Sequence, residues 1–241
     1  MIQVHSYESM GTFDGPGLRL VVFLQGCNFR CLYCANPDTI ELKGGKETSI
    51  EEIISKAVSE RPFFGKKGGI TFSGGEPTLQ AEALLPLFQR LKEQDIHICV
   101  DTNGSIWNEY VEKLFQYTDL VLLDIKEFNP MRHRKLTERD NTQTIRTAEW
   151  LEKNQHPFWL RYVLVPGYSN YEGDIHAVGN YFKEYRMLQR IEILPYHTLG
   201  AHKYEAMGKE YLLKGVKENT PEQLENVRKL FEQYFKTVYV N

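Results

Sequence analysis

Long apolar runs and a strong charge bias are both missing from this sequence. No stretch approaches the roughly 18 consecutive apolar residues that indicate a membrane span. The N-terminal segment MIQVHSYESM lacks a basic region followed by an apolar one, so it shows no secretory signal. The formal net charge is only −3, which provides no broad basic surface for nucleic acid. We therefore expect a cytoplasmic protein that binds neither a membrane nor a nucleic acid.

Internal repeats, low-complexity tracts and linkers rich in proline or serine are absent as well. The chain of 241 residues is 41% hydrophobic, which is enough for one large domain with its own core. We therefore predict a single domain over residues 1–241, and we expect it to be monomeric. The short basic run MRHRK at 131–135 is typical of a solvent-exposed surface.

Cysteine is scarce, with four residues in the chain, yet three of them fall within the segment CNFRCLYC. In a reducing cytoplasm, clustered thiols indicate a metal site or catalysis rather than disulfides. The fourth cysteine, Cys99, lies inside the apolar run HICVD and is predicted to be a core residue.

The spacing C-x3-C-x2-C of Cys27, Cys31 and Cys34 leaves a choice between zinc and an iron–sulfur cluster. A structural zinc site takes four ligands, commonly as two separated pairs. No second pair is present, although His5 or another histidine could complete the set. Three thiolates on a four-iron cluster would leave one iron open for a substrate. Ligation by three neighbouring sulfur atoms favours the iron–sulfur cluster, with a zinc-dependent structural or binding module as the alternative.

Short, nearly continuous apolar runs alternate with amphipathic ones along the chain, which predicts an α/β fold. Six β-branched runs predict buried parallel strands, and six amphipathic runs predict helices between and after them. Right-handed crossovers then give a parallel sheet, either open and doubly wound or curled into a partial (β/α)6 TIM-like barrel. The predicted strands are 18–26, 69–73, 97–101, 120–126, 158–165 and 191–196, and the predicted helices are 49–60, 82–94, 107–116, 142–153, 174–187 and 221–235.

Polar residues follow the predicted strands at their carboxyl ends, where chemistry is expected in such folds. SGGEP contains Gly74 and Gly75, which form either a plain turn or a place where a ligand approaches the backbone. DTNG supplies oxygen ligands suited to a hard cation, or else it is only a turn. DIK offers a carboxylate and an ammonium that could hold a zwitterion, and a histidine follows the last strand. The side chains in question are those of Asp101, Thr102, Asp124, Lys126 and His197.

Taken together, these motifs resemble those of the radical S-adenosylmethionine (SAM) enzymes. The motif Cys27-x3-Cys31-x2-Cys34, with Tyr33 before the last cysteine, is similar to their signature, and SGGEP is similar to their GGE motif. The segments TFDGPGLRLVVFLQGCNFRCLYCANPDT and LPYHTLGAHKYEAMGKEYLLKGVK resemble the activating enzymes of glycyl radical enzymes, in particular those that act on pyruvate formate-lyase. The resemblance covers nearly the whole chain and implies a partial, six-unit β/α barrel.

The resemblance also implies a set of site residues. The three clustered cysteines would hold one 4Fe–4S cluster, and SAM would chelate the iron that they leave open. SAM would lie against Tyr33, Cys34, Ala35, Gly74, Gly75, Asp124, Ile125, Lys126 and His197. A monovalent cation would be held by Asp101, Thr102, Asp124 and the Leu122 carbonyl, and the substrate peptide would meet Asp14.

The activity that the resemblance implies is the reductive cleavage of SAM to methionine and a 5′-deoxyadenosyl radical. That radical would remove a Cα hydrogen from a glycine of pyruvate formate-lyase, after flavodoxin or ferredoxin has reduced the cluster. A different possibility is an activating enzyme of another glycyl radical enzyme, such as anaerobic ribonucleotide reductase. A third is a radical SAM enzyme that modifies RNA or small molecules. The lack of a basic surface argues against RNA, and the segment LPYHTLG argues against the reductase and against small molecules.

Overall fold

The computed structural model describes all residues from 1 to 241. The strands are β1 (Ile2–Gly11), β2 (Arg19–Leu24), β3 (Lys46–Thr48), β4 (Gly69–Gly74), β5 (His97–Thr102), β6 (Leu120–Asp124), β7 (Phe158–Leu164), β8 (Leu188–Pro195) and β9 (Val238–Val240). The α-helices are α1 (Ile50–Phe64), α2 (Ala81–Glu93), α3 (Glu109–Gln116), α4 (Pro130–Thr137), α5 (Thr142–Lys153), α6 (Glu172–Phe182), α7 (Ala201–Ala206) and α8 (Pro221–Glu232). Short 3-10 helices occupy Pro37–Thr39 and Pro77–Gln80.

The nine strands form one sheet in the order β3-β1-β2-β4-β5-β6-β7-β8-β9. β1 is antiparallel to both β2 and β3. The pairs β2–β4, β4–β5, β7–β8 and β8–β9 are parallel. Because β3 and β9 each have a partner on one side only, the sheet is open. The predicted α/β class with a largely parallel sheet is confirmed.

The chain packs as two compact units. The first comprises residues 1–28 and 39–122, and the second comprises residues 29–38 and 123–241. Cys27 therefore belongs to the first unit, and Cys31 and Cys34 belong to the second. The single domain over 1–241 stays a prediction. None of the helices combines the length and the apolar composition that a membrane span requires.

All six predicted strands form, as β2 and β4 to β8. The side chains of β2 and β4 to β7 are mostly buried, whereas β8 is buried only at Ile191, Glu192 and Ile193. The six predicted helices also form, although α6 ends at Phe182 and α8 at Glu232, earlier than the sequence predicts. α1, in contrast, continues to Phe64, beyond its predicted end at residue 60, so the pattern locates the helices better than it locates their ends. β1, β3, β9, α4 and α7 lie outside the predicted elements.

Asparagine side chains determine where two of the helices begin. Asn108 Oδ1 accepts hydrogen bonds from two backbone N–H groups in the first turn of α3, and Asn129 does the same for α4. These groups would otherwise have no partner within the helix. The two caps are equivalent in chemistry but belong to different units.

Candidate active site

Backbone hydrogen bonds fix the start of the cysteine segment in the first unit. β2 ends at Leu24, and the N–H groups of Gly26 and Cys27 donate to the carbonyls of Thr39 and Ile40, at 2.8 and 2.9 Å. Cys27 is partly exposed. The first cysteine thus follows the carboxyl end of β2, as the sequence predicts.

The end of α4 holds the next part of the cysteine segment, in the second unit. The N–H groups of Arg30 and Leu32 donate to the carbonyls of Thr137 and Leu136, both at 3.0 Å. Both carbonyls lie in the last turn of α4, where helical carbonyls have no partner within the helix. The helix end therefore fixes the backbone on either side of Cys31.

The thiols of the segment fit a cluster that needs several soft sulfur donors. Cys27, Cys31 and Cys34 are all partly exposed, and no disulfide involves any cysteine of the chain. Burial raises the pKa of the Cys34 thiol, while the ammonium groups of Lys126 and Lys203 act in the opposite direction. Such cations favour the thiolate form that binds iron.

Cys99 has a different environment from the other three cysteines. It lies in β5 and is fully buried, and burial raises the pKa of its thiol to about 12. The prediction that Cys99 is a core residue is confirmed.

No three His, Cys, Asp or Glu side chains lie close enough together to hold one metal ion.

Glu76 links the loops that follow β4 and β5. Its side chain is only 1% exposed. It accepts hydrogen bonds from the N–H and hydroxyl of Thr78, the hydroxyl of Thr102 and the N–H of Asn103, at 2.5 to 2.9 Å. Burial raises the pKa of Glu76, although all four donors favour the ionised carboxylate. Sequence reasoning missed this residue; the signal was a charge directly after two glycines in SGGEP.

The two glycines of SGGEP are needed for backbone packing inside the first unit. Gly74 has a φ of 102°, and a Cβ there would lie 2.4 Å from the Leu24 nitrogen. A Cβ on Gly75 would lie 2.0 Å from the Gly26 oxygen. Any larger residue would push β4 away from the end of β2. A contact between these glycines and a ligand stays a prediction.

The oxygen-bearing residues at the end of β5 are already engaged with neighbouring side chains. Asp101 accepts a hydrogen bond from the Ser73 hydroxyl at 2.7 Å, and Thr102 is buried against Glu76. Leu122 is fully buried within β6. Asp101 and Thr102 are therefore successive residues of β5 with different partners, and their cation role stays a prediction.

Asp14 lies in the loop that connects β1 to β2, and this loop folds against β4 and β5. The Asp14 carbonyl accepts a hydrogen bond from the Thr71 hydroxyl at 2.6 Å. A Cβ on Gly15 would lie 2.9 Å from the Cys99 sulfur. Because side chains alternate along a strand, Cys99 points to the same face of β5 as Asp101. The Asp14 loop therefore covers the face that carries Asp101, about two residues below the strand end.

Arg19 is fully buried and hydrogen-bonds to the Asp14 loop through the Pro16 carbonyl. Its guanidinium donates to the Thr71 hydroxyl and to the carbonyls of Pro16, Ile70 and His97. Four acceptors around one buried cation offset the free energy of removing it from water. Sequence reasoning missed Arg19 because LRLVVFLQG predicts an apolar strand; the single charge within that run was the signal.

Asp124 and Lys126 form an ion pair in the second unit. Their side chains are each 14% exposed, and the Lys126 nitrogen lies 2.6 Å from an Asp124 oxygen. The same nitrogen lies 5.7 Å from the centre of the Tyr33 ring. Burial by itself lowers the pKa of Lys126, but Asp124, Tyr33 and Cys31 outweigh it and raise the pKa well above the usual value. Lys126 is therefore a permanent cation beside the cysteine segment.

Ile125 and His197, two further predicted SAM contacts in the second unit, differ in burial. Ile125 is buried, and its N–H donates to the Arg161 carbonyl at 2.9 Å, which holds the strand end in place. His197 is exposed, and its Nδ1 accepts a hydrogen bond from the Leu199 N–H at 3.4 Å. The structure thus brings Tyr33, Asp124 and Lys126 together, whereas the hydrogen bond of His197 is a local one.

Comparisons with known proteins give a consistent family. The sequence profile of the Radical SAM superfamily matches residues 21–175. A pyruvate formate-lyase 1-activating enzyme of Escherichia coli (strain K12) is 43% identical over 235 residues, which is 96% of each chain. A pyruvate formate-lyase-activating enzyme of Streptococcus mutans is 44% identical over 248 residues, with 98% of this chain and 94% of the relative covered.

Solved structures show the same fold at low sequence identity. A domain of a pyruvate-formate lyase-activating enzyme from Bacteroides vulgatus superposes with a TM-score of 0.61 at 23% identity, covering 72% of this chain and 99% of that one. Methylornithine synthase superposes with a TM-score of 0.63 at 14% identity, covering 94% of this chain and 65% of that one. The fold is therefore the open, partial β/α barrel of these proteins. The chain belongs to the radical SAM superfamily and, within it, to the family of pyruvate formate-lyase-activating enzymes.

Proposed function

We propose that this protein activates pyruvate formate-lyase by generating a radical on one of its glycines. The observation that carries the proposal is the 42–44% identity to activating enzymes of that name over 88–98% of the chain. It is supported by a cysteine segment of the radical SAM type that backbone hydrogen bonds hold at Cys27 and on either side of Cys31.

The cofactors of the family are a 4Fe–4S cluster and SAM, and Cys27, Cys31 and Cys34 are the proposed cluster ligands. When bound, this pair supplies a 5′-deoxyadenosyl radical by reductive cleavage of SAM, and the radical takes a hydrogen from the glycine Cα. The part of the protein is to hold the thiolates, orient SAM and exclude water. The fixed backbone around Cys31 supports the first of these tasks.

The proposed SAM contacts include charged side chains and glycines. The second unit supplies the charged groups, because the Asp124–Lys126 pair can exchange its mutual contact for the ammonium and carboxylate of SAM. Gly74 and Gly75 offer backbone groups without a side chain in the way. The remaining proposed contacts are Tyr33, Cys34, Ala35, Ile125 and His197.

A monovalent cation and the substrate peptide complete the proposed site. Asp101, Thr102, Asp124 and the Leu122 carbonyl are the proposed oxygen ligands of the cation. Asp14 is the proposed contact of the glycine-bearing peptide. This role is supported by the buried anchor that Arg19 provides for its loop.

The electron donor is proposed to be flavodoxin or ferredoxin, since the cluster must be reduced by one electron before each cleavage. The protein is proposed to act as a monomer in the cytoplasm. A donor test is direct: with SAM present, reduced flavodoxin or ferredoxin should support formation of 5′-deoxyadenosine, and an oxidised donor should not.

The proposed function is tested by mixing the anaerobically reconstituted, reduced protein with SAM and pyruvate formate-lyase, and recording the electron paramagnetic resonance spectrum. We expect a glycyl radical on pyruvate formate-lyase. Anaerobic ribonucleotide reductase serves as the competing substrate. A radical only on the reductase would contradict the proposed substrate, and a colourless protein containing one zinc would contradict the whole assignment.

A further inference from the structure

The short helix α7 and the turn before it lie directly on the cysteine segment, within the second unit. A Cβ on Gly200 would lie 2.7 Å from the Ala35 Cα and 2.9 Å from the Cys34 carbonyl oxygen. Such distances leave no room for any side chain, so glycine is required there. The backbone before α7 therefore touches the residues that directly follow the third cysteine.

Lys203 bridges from α7 to the same stretch of chain. Its ammonium lies 3.0 Å from the Asn36 side-chain oxygen and 3.2 Å from the Asp38 carboxylate. The Lys203 and Asp38 side chains are only 28% and 31% exposed. One cation thus ties down two residues that lie two and four positions after Cys34.

The helix that carries Lys203 is itself anchored by aromatic packing. The ring of Tyr204 packs on the ring of Tyr211 with centroids 5.1 Å apart, and the Tyr211 and Tyr196 hydroxyls are 2.8 Å apart. Tyr196 and Leu213 belong to a buried cluster against which Tyr33 also packs. Lys203 therefore extends from a supported base rather than from a loose tail.

Through its contacts with Asn36 and Asp38, Lys203 also places a positive charge against residues that follow Cys34 in the chain. A positive charge near a cluster thiolate stabilises the reduced cluster, because reduction adds one negative charge. None of the SAM or peptide roles proposed above involves Lys203, so its contacts have no explanation in that site.

We propose that Lys203 is a positioning residue for the iron–sulfur cluster. It fixes the part of the cysteine segment that carries Cys34, and it supplies a cation that raises the reduction potential of the cluster. The inference rests on the proposed cluster ligation by Cys27, Cys31 and Cys34.

The test compares Lys203→Met, which removes the charge at similar length, with Lys203→Arg, which keeps it. Lys214→Met is the matched control, because Lys214 is an exposed lysine on the segment that follows α7. Two properties of the reconstituted holoproteins are measured: the midpoint potential of the cluster and the rate of iron loss to a chelator. Neither measurement requires pyruvate formate-lyase.

We expect Lys203→Met to shift the midpoint potential to more negative values. We also expect it to speed iron loss roughly two- to fivefold, the size of effect that a partly exposed ion pair supports. Lys203→Arg should restore the potential, and Lys214→Met should match the unaltered protein in both measurements. Asp38→Asn separates the two roles, because it should also speed iron loss while shifting the potential in the positive direction.

A potential and an iron-loss rate in Lys203→Met equal to those of Lys214→Met would overturn the inference. If Lys203→Met does not fold, Asp38→Asn decides in its place, and an unchanged iron-loss rate in that variant would overturn the inference. Failure of the proposed function is a separate outcome. In that case the cluster assembles and the Lys203 effects appear, but pyruvate formate-lyase gains no radical.

Discussion

Buried charged side chains shape the loops of the candidate site at the scale of single residues. Glu76 gathers four hydrogen-bond donors from the loops after β4 and β5, and Arg19 gathers four acceptors around the Asp14 loop. A buried charge without its partners would destabilise the folded protein, so the loss of one partner weakens the whole network. The conformation of these loops therefore depends on two residues to which no contact with SAM, the cluster or the substrate peptide is assigned.

Replacing Glu76 with glutamine should destabilise the holoprotein. The amide NH2 group would replace either Oε1, which accepts from Thr78 and Thr102, or Oε2, which accepts from the Asn103 N–H. In either position it would face a donor, which leaves a buried group unpaired. We expect the free energy of unfolding to fall by about 1–3 kcal/mol, measured by denaturant unfolding under anaerobic conditions. The control is Glu93→Gln at the exposed end of α2, which should change it by less than about 0.5 kcal/mol. If Glu76→Gln has the same free energy of unfolding as Glu93→Gln, Glu76 is not an ionised hydrogen-bond acceptor.

The four cysteines should respond differently to replacement with alanine. Cys27→Ala, Cys31→Ala and Cys34→Ala should each abolish SAM cleavage and lower the iron and sulfide content, because each removes a proposed cluster ligand. Cys99→Ala should keep the cluster and cost only about 1 kcal/mol, as expected for a small buried side chain. Iron and sulfide analysis of the reconstituted variants measures this. If Cys99→Ala loses the cluster while the other three variants keep it, the predicted set of ligands is wrong.

Glu127 should make stability depend on pH. The residue is fully buried, and burial, together with the nearby Asp174 charge, raises the pKa of Glu127 from 4.5 to about 7. Between these values the folded protein keeps a proton that the unfolded chain has lost. Stability should therefore fall as the pH rises through this window, by on the order of 3 kcal/mol if the shift is realised in full.

Glu127→Gln tests this dependence, because glutamine has no proton to lose. We expect the variant to be more stable than the unaltered protein at pH 8, and the advantage to disappear towards pH 5. The measurement is the difference in unfolding free energy between variant and parent across this range, which cancels the other titrating groups. The exposed Glu184→Gln serves as the control. An advantage that does not change with pH would contradict the raised pKa.

At the scale of elements, α4 connects a helix cap to the cysteine segment. Asn129 begins the helix, and the last two carbonyls, of Leu136 and Thr137, hold the N–H groups on either side of Cys31. The sequence segment MRHRK indicates only a solvent-exposed surface, yet His133 within it is buried and packs edge-on against Phe29. We therefore expect any loss of order in α4 to disturb the backbone around Cys31, a proposed cluster ligand.

Two asparagine caps allow this connection to be measured. Asn129→Ala should lower the free energy of unfolding by about 0.5–2 kcal/mol and should speed iron loss to a chelator. Asn108→Ala removes the matching cap of α3, which packs against α2 in the first unit. It should cause a similar loss of stability without faster iron loss. Equal iron-loss rates in the two variants would show that α4 does not govern the cysteine segment.

The sequence predicts the elements whose pattern reflects burial and misses those that depend on distant partners. β2 and β4 to β7 are largely apolar runs, and β8 contains the shorter apolar run around Ile191 and Ile193, so they can be recognised without knowledge of the fold. β1 has six partly exposed or exposed residues in succession and becomes a strand through its antiparallel partners. α4 and α7 are short and polar, and they are stabilised by contacts with the cysteine segment that no local pattern reveals.

The candidate site divides in the same way. Cysteine spacing and strand-end motifs predict Cys27, Cys31, Cys34 and the Asp124–Lys126 pair, because their chemistry is visible in the sequence. Glu76, Arg19 and Lys203 were missed, since their importance lies in hydrogen bonds to loops that are distant along the chain. Pattern therefore identifies the proposed ligand-binding groups better than it identifies the residues that hold them in place.

At the scale of the whole molecule, the family profile and the curated relatives match different extents of the chain. The radical SAM profile matches the part of the chain from β2 to α6, and full-length relatives share the remainder. The segment beyond β8 lies outside that profile, and it contains α7, which contacts the cysteine segment. This part of the chain is therefore where we expect features peculiar to the activating enzymes.

The central claim is that this protein removes a Cα hydrogen from a glycine of pyruvate formate-lyase. The most direct measurement uses pyruvate formate-lyase prepared with glycine deuterated at Cα, together with unlabelled SAM and the reduced protein. We predict that 5′-deoxyadenosine gains one deuterium for each glycyl radical formed. Formation of the radical with entirely unlabelled 5′-deoxyadenosine, or cleavage of SAM without any radical on pyruvate formate-lyase, would contradict the claim.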